Sequence, residues 1–145
     1  MFRNIIITLA AILMCGCHAF EQDKEYVVVA YVTSWTNEIP NPSVMTHINY
    51  AFGHVNETFD GVRIDNPERL ATIVSLKDKN PELNVMLSVG GWGSGRFSEM
   101  ASDDQRRMSF ANDCLRVVEE FGLDGIDIDW EYPTSSMAGI SSSPQ

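Results

Sequence analysis

An α/β fold built on a parallel sheet is what this sequence predicts, and three observations carry it. β-prone apolar runs alternate with segments of helical periodicity, one run is apolar without a break, and two of the runs close on glycine. The first run, Tyr26 to Thr33, holds Val27, Val28 and Val29 in one stretch, as expected of a strand covered on both faces. His47 to Phe52, closed by Gly53, is the second. Val85 to Val89, closed by Gly90 and Gly91, is the third, and Gly125 to Trp130 the fourth.

Helices are expected between them. Asn66-Pro67-Glu68 supplies a cap, a proline at the first helical position and an acid in the first turn, and Leu70, Ile73 and Val74 follow at helical spacing. That helix should end near Lys79, before Pro81. Asp103 caps a second helix whose apolar face reads Met108, Ala111, Cys114, Leu115, Val118 and Phe121, with Gly122 as its stop. These make two right-handed crossover units. Thr36 to Met45, with Pro40 and Pro42, has room for little more than a helical turn, and the serine-rich end from Thr134 to Gln145 reads as loop.

Such alternation fits an open doubly wound sheet or a (β/α)₈ barrel. A barrel takes about 250 residues, so four strands are half of one, and the expectation is a barrel truncated after about the fourth strand. The chain has 145 residues, 10 basic against 20 acidic, for a net charge of -10, and 44% of it is apolar. That is enough for one packed domain and excludes a disordered or collagenous chain. So acidic a surface repels phosphate backbones and anionic lipid, which excludes nucleic acid and polybasic membrane docking and leaves neutral or cationic substrates open.

The N-terminus is set apart from the fold. Arg3 precedes an apolar run from Ile5 to Met14, broken only by Thr8 and followed by Cys15, Gly16, Cys17 and His18. It is shorter than the ~20 residues that span a bilayer, and suits a secretory signal. A signal over 1–17 and a folded unit over 18–145 are expected. Cys17, after Gly16, is the expected lipid acceptor of a lipoprotein, with Cys15 the lesser choice and free secretion the alternative; a lipid anchor would be the sole membrane contact. Cys114, on a helix stripe, reads as a small hydrophobe.

The fourth strand carries the chemistry. Alternation at roughly 3.3 Å per residue puts Asp127, Asp129 and Glu131 on one face and Ile126, Ile128 and Trp130 on the other. The apolar face packs beneath helices, so the acidic face points to the sheet or barrel centre, where branched aliphatics are the rule. Crowded carboxylates in a poorly solvated cleft cannot all ionise, so a proton is retained or shared. Glu131, last in the row, sits nearest the mouth, where a protonated carboxyl can protonate a leaving group and then activate water. A solvated edge strand is the bland alternative, and the two-faced pattern opposes it. A calcium loop fails because Tyr132 stands where its glycine is needed and Ala138 where its closing glutamate is needed. A divalent metal on the three acids stays open, although no histidine or further acid follows to complete a shell.

Asp124-Gly125-Ile126-Asp127-Ile128-Asp129-Trp130-Glu131-Tyr132-Pro133 resembles the D-x-x-D-x-D-x-E signature of family-18 glycoside hydrolases, the chitinases and their relatives. Ser88-Val89-Gly90-Gly91-Trp92 is similar to that family's S-x-G-G segment, and Ala30-Tyr31, Trp35 and Thr46 to Phe52 extend the likeness over nearly the whole mature chain. The resemblance implies a (β/α)₈ barrel cleaving β-1,4-linked N-acetylglucosamine with retention, by substrate assistance. It implies no cofactor and no metal, with chitin or an N-acetylglucosamine-containing glycan as partner. Glu131 would be general acid, then base; Asp129 would hold the substrate's N-acetyl group and stabilise the oxazolinium; Asp127 would share a proton with Asp129.

Tyr31, Phe52, Trp92 and Tyr132 match positions lining the family's cleavage subsite, Trp35 one further along the cleft, and Gly90 and Gly91 are counted with them as substrate-binding. For Tyr31 and Phe52 burial in the barrel is the equal alternative, whereas Trp92, amid Gly90, Gly91, Gly93 and Gly95, has little to bury against. That stretch lacks the Gly-Lys-Ser/Thr ending of a phosphate cradle. His47 is read as a hydrogen-bonded core histidine in mid-strand, and Asn56-Glu57-Thr58 as a sequon that matters only in a eukaryotic host. The family closes its site with a tyrosine and a tryptophan from later strands, so this segment alone is expected to be inactive and to aggregate through unpaired strand edges. A chitinase-like lectin and an endo-β-N-acetylglucosaminidase are the alternatives; such lectins lose the glutamate that Glu131 retains.

Overall fold

The computed structural model describes residues 26–137; the signal at 1–17 with Cys17, and the last residues of the serine-rich end, lie outside them. The fold is mixed α/β with a parallel sheet. Its strands are β1 (Val29–Thr33), β2 (His47–Val55), β3 (Val62–Ile64), β4 (Asn84–Gly90) and β5 (Gly125–Asp129). Four of them run parallel in the order β1-β2-β4-β5, and β3 pairs antiparallel with the far end of β2.

The sheet is strongly curved, as part of a barrel wall must be. On a flat sheet β1 and β5 would stand about 14 Å apart, three spacings. Yet Tyr31 on β1 donates a 2.9 Å hydrogen bond to Asp127 on β5. Side chains from two non-adjacent strands meet only if the face they share is concave.

The convex face is the core. Ile48, Tyr50, Val85, Leu87 and Val89 are fully buried there together with Leu70, Ile73 and Val117 from the helices, each burial contributing about 1.5–3 kcal/mol. Helix α1 (Pro67–Val74) starts where expected. Asn66 caps it by accepting from Arg69 N, Pro67 follows, and a tight turn over Ser75–Asp78 carries the chain to Lys79. Two further helices are α2 (Phe97–Ala101), which was not expected, and α3 (Asp104–Phe121), which is capped by Asp103 and stopped by Gly122 at φ 67°. The segment before β2 makes one short turn at Pro42–Val44.

Four expectations are corrected. The first strand begins at Val29, not Tyr26, and is not covered on both faces: Val27, Val28 and Val29 are exposed, because β1 is the edge of the described sheet and only Val32 turns into the core. Gly53 does not close the second strand. The strand runs on through a register shift at Ala51/Gly53, with Leu87 and Val62 side chains 3.1 and 3.3 Å from where a Cβ would lie. On α3 the buried stripe is Phe110, Cys114, Val117, Val118 and Phe121. Met108 and Leu115 are exposed, since at about 100° per residue they fall roughly 140–180° round the helix from Phe110 and Val117, and Ala111 is exposed too. Finally, β5 ends at Asp129 and Ile128 is 52% exposed, so of the apolar side Ile126 and Trp130 pack on the core, Trp130 stacked 5.4 Å from Phe97.

Candidate active site

The position of the acids is set by both ends of β5. At its start, Asp124 accepts from Lys77 Nζ at 2.9 and 2.8 Å and from Val85 N at 2.7 Å, while its own N–H donates to Val85 O at 2.8 Å. This locks β5 to β4 in the register Ser88↔Asp127 and Gly90↔Asp129. At its end, Gly91 N donates to Asp129 O at 3.0 Å. Gly90 permits that approach. Its φ is +130°, and a Cβ there would stand 2.0 Å from Asp129 O. Gly91 serves the next layer, since a Cβ on it would lie 2.8 Å from the Phe52 ring. Both glycines thus let backbone close on Asp129 and Phe52.

On the concave face Asp127 Oδ2 accepts two hydroxyls, Tyr31 Oη at 2.9 Å and Ser88 Oγ at 2.8 Å. Asn49 draws the Tyr31 phenol down, but burial and the Asp127 carboxylate push it up, and the upward pull wins. Asp129 accepts no side-chain hydrogen bond among the described residues. Burial first, then the charges of Glu131 and Asp127, raise its carboxyl above the ordinary range. Crowding therefore acts on Asp129 as the spacing requires. Glu131 follows the strand end and is half-buried.

The aromatic side chains ring this face. Trp92 is 63% exposed and meets Tyr132 edge-on at 6.3 Å between ring centres; Trp35, 70% exposed, stands 6.4 Å from Phe52. Tyr31 is 55% exposed, so burial in the barrel does not hold for it among the described residues, and Phe52 is half-buried. Tyr31 reaches the β5 acids directly. Phe52 lies against Gly91, whose N–H holds Asp129 O, and meets Trp35, and Trp92 pairs with Tyr132, the residue after Glu131. The ≈420 Å³ hollow between the β2–β3 turn and α3 contains none of them.

Other candidates stand apart. His47 is the first residue of β2, not mid-strand, with Nδ1 2.8 Å from Thr46 Oγ1. Asn56, of the sequon, is tied into the β2–β3 turn through Asp60. Burial pushes the Cys114 thiol up to about 11, as befits a small hydrophobe. Among the described residues no three His, Cys, Asp or Glu side chains are grouped to hold a metal ion.

Three contributors are not among the expected site residues. Ser88 opens the S-x-G-G segment and interrupts an aliphatic strand at an inward position. Arg69, buried on α1, donates to Thr33 O, Thr36 Oγ1 and Glu38 O at 2.9, 3.1 and 2.8 Å, and so fastens the segment bearing Trp35. Asp124 opens the signature, yet its work is the register of β5.

Known proteins share this arrangement. Residues 27–143 match the family described as Glycosyl hydrolases family 18. The chain is 31% identical over 158 aligned positions to an endochitinase of Manduca sexta, covering 96% of this chain and 28% of that protein. Among solved structures, the chitinase domain of the spore coat protein CotE from Clostridium difficile superposes with a TM-score of 0.79 at 34% identity, over 88% of this chain and 36% of that one. A family 18 N-acetylglucosaminidase from Paenibacillus barengoltzii does so with a TM-score of 0.74 at 43% identity, over 81% and 35%. The chain thus spans about a third of the solved domains it matches.

Proposed function

This chain belongs to glycosyl hydrolase family 18, and on that premise we propose that it is the motif-bearing part of a secreted or surface-held hydrolase of β-1,4-linked N-acetylglucosamine, chitin or its oligomers. One observation carries the reading. Two aspartates share the concave face of β5 and Glu131 follows just past its end toward an aromatic-lined rim, the first acid held by two hydroxyls and the second with its carboxyl pushed up by burial and by the charges of its neighbours.

In the proposed reaction Glu131 gives its proton to the oxygen of the scissile bond as that bond breaks. The carbonyl oxygen of the substrate's own N-acetyl group forms the new bond to the anomeric carbon, so no enzyme nucleophile is needed. Asp129, hydrogen-bonded to the acetamide nitrogen, stabilises the positive oxazolinium, and Asp127 takes part of its proton. Glu131, now ionised, accepts a proton from the water that reopens the ring, and configuration is retained. Trp92, Tyr132, Tyr31, Phe52 and Trp35 offer flat faces on which pyranose rings stack. Residues 18–145 are proposed as the first half of the barrel and 1–17 as its export signal, with Cys17 as lipid acceptor. The spore-coat setting of one relative agrees with a surface location.

The test is turnover of soluble N-acetylglucosamine oligomers by the full-length protein. Glu131→Gln should lower kcat by about 10²–10⁴-fold, and Asp129→Asn should slow turnover while sparing binding. Unchanged rates in Glu131→Gln would remove the acid from its role. Binding of oligomers without turnover by the unaltered protein would replace the hydrolase with a sugar-binding protein.

A further inference from the structure

Trp92 sits on a segment with little to fix its shape beyond one backbone hydrogen bond, Ser94 N to Gly91 O at 2.9 Å. Gly90, Gly91 and Gly93 all have positive φ, the Trp92 ring is largely exposed, and a Cβ on Gly93 would meet nothing within 4 Å. A loop of this kind loses more backbone entropy on ordering than any other. Something outside it must fix where the tryptophan stands.

Besides Phe52 at Gly91 and Tyr132 at Trp92, the side chain that reaches it is His54, on β2 two residues past Phe52. Its Nδ1 lies 2.8 Å from Ser94 Oγ and its Nε2 2.9 Å from Asp65 Oδ2. Arg63 holds the other oxygen of Asp65. Burial opposes the Asp65 charge, but the hydrogen bonds from His54 and Arg63 outweigh it and keep the carboxyl below its ordinary range. A serine, histidine and aspartate in a row also make up hydrolytic relays. Here, however, Ser94 N is committed to Gly91 O at 2.9 Å, so the amide that would complete an oxyanion hole is taken. The row is a clasp rather than a nucleophile.

We infer that His54 is a positioning residue for the Trp92 sugar platform, fastening the glycine-rich loop through Ser94 and itself aimed by Asp65. The inference rests on the proposed function, in which Trp92 stacks on substrate. Its chemistry suits a tether. With Nε2–H donating to Asp65, Nδ1 accepts the serine proton; when the ring is charged, Nδ1–H donates and the hydroxyl turns to accept. The Ser94 hydroxyl, donor and acceptor at one atom, answers both states.

The test is a double-mutant cycle in the full-length protein with the N-acetylglucosamine tetramer as substrate. His54→Ala and Ser94→Ala should each raise KM about threefold to tenfold, the worth of one hydrogen bond, with kcat within about twofold. Ser94→Thr should restore KM. In a Trp92→Ala background His54→Ala should raise KM no further, because both act through one ring. Independent, multiplying effects would overturn the clasp, as would an unchanged KM in Ser94→Ala where Trp92→Ala raises it. An unchanged KM in Trp92→Ala itself would instead sink the platform in the proposed function. Ser94→Ala deletes one oxygen and keeps the cycle informative even if His54→Ala does not fold.

Discussion

Replacing Gly90 by alanine probes the junction on which the acids depend. The added Cβ would lie 2.0 Å from Asp129 O and 2.6 Å from Asp129 C, against the roughly 3.5–4 Å at which carbon contacts are favourable. β4 and β5 would have to part by roughly 1.5 Å. Two costs add. Holding a non-glycine residue at φ +130° costs about 1–3 kcal/mol, and forced repacking about 1–3 kcal/mol more. Gly93→Ala is the control, because its φ is +77° with nothing near the new methyl, so only a dihedral cost of about 1–2 kcal/mol remains. Urea unfolding of both variants in the full-length protein, followed by circular dichroism, should find Gly90→Ala the less stable by at least about 1 kcal/mol. Its surviving folded fraction should also turn over about 10²-fold more slowly, since parting the strands breaks the Gly91 N–Asp129 O bond and displaces the carboxyl. Equal losses of stability in the two variants would refute the argument, because the clash would then have been relieved without cost.

Asp65 and Cys114 yield two more expectations. The Asp65 carboxyl is depressed in the fold, so its contribution to stability is fully present above the unfolded value of about 3.9 and is lost as pH falls through the lower folded value. Urea midpoints of the unaltered protein and Asp65→Asn should therefore differ at neutral pH and converge in acid; divergence in acid would contradict the assignment. For Cys114, a thiol pushed from 9.0 to about 11 has about 10²-fold less thiolate at neutral pH. Iodoacetamide should label the Cys114 peptide slowly in the native protein and quickly in urea, as read by mass spectrometry, and equal rates would place the thiol in water.

What the sequence makes legible is what local chemistry decides. Asn66 with Pro67, and Asp103 with Gly122, fix the ends of α1 and α3, because a cap is satisfied by its own neighbours. The β5 alternation is legible for the same reason, being a property of consecutive residues. What escapes is decided by partners distant in the chain. Val62–Ile64 is too short to signal a strand and exists because β2 runs past Gly53 to meet it. The face of α3 is ambiguous, since Met108, Leu115 and Phe110 cannot all be buried, and the larger ring wins the core. Tyr26 to Val28 have strand composition, but no described strand covers their outer edge. The Arg69 fastening and the His54 clasp join segments separated by 31 residues and more, which no periodicity reports.

The signature's four acids therefore do not act alike, and the difference follows from what each one touches. Asp124 is consumed by Lys77 and Val85 N, and what it supplies is register. Asp127 is held by Tyr31 and Ser88, from β1 and β4, so its oxygens stay where those two strands put them. Asp129 has no such hydroxyls among the described residues, and burial, then the charges of Glu131 and Asp127, push its carboxyl up. What Asp127 touches thus depends on β1 curling round to bring Tyr31 within reach. A substitution that flattened the sheet would leave all four acids in sequence and abolish the division of labour among them.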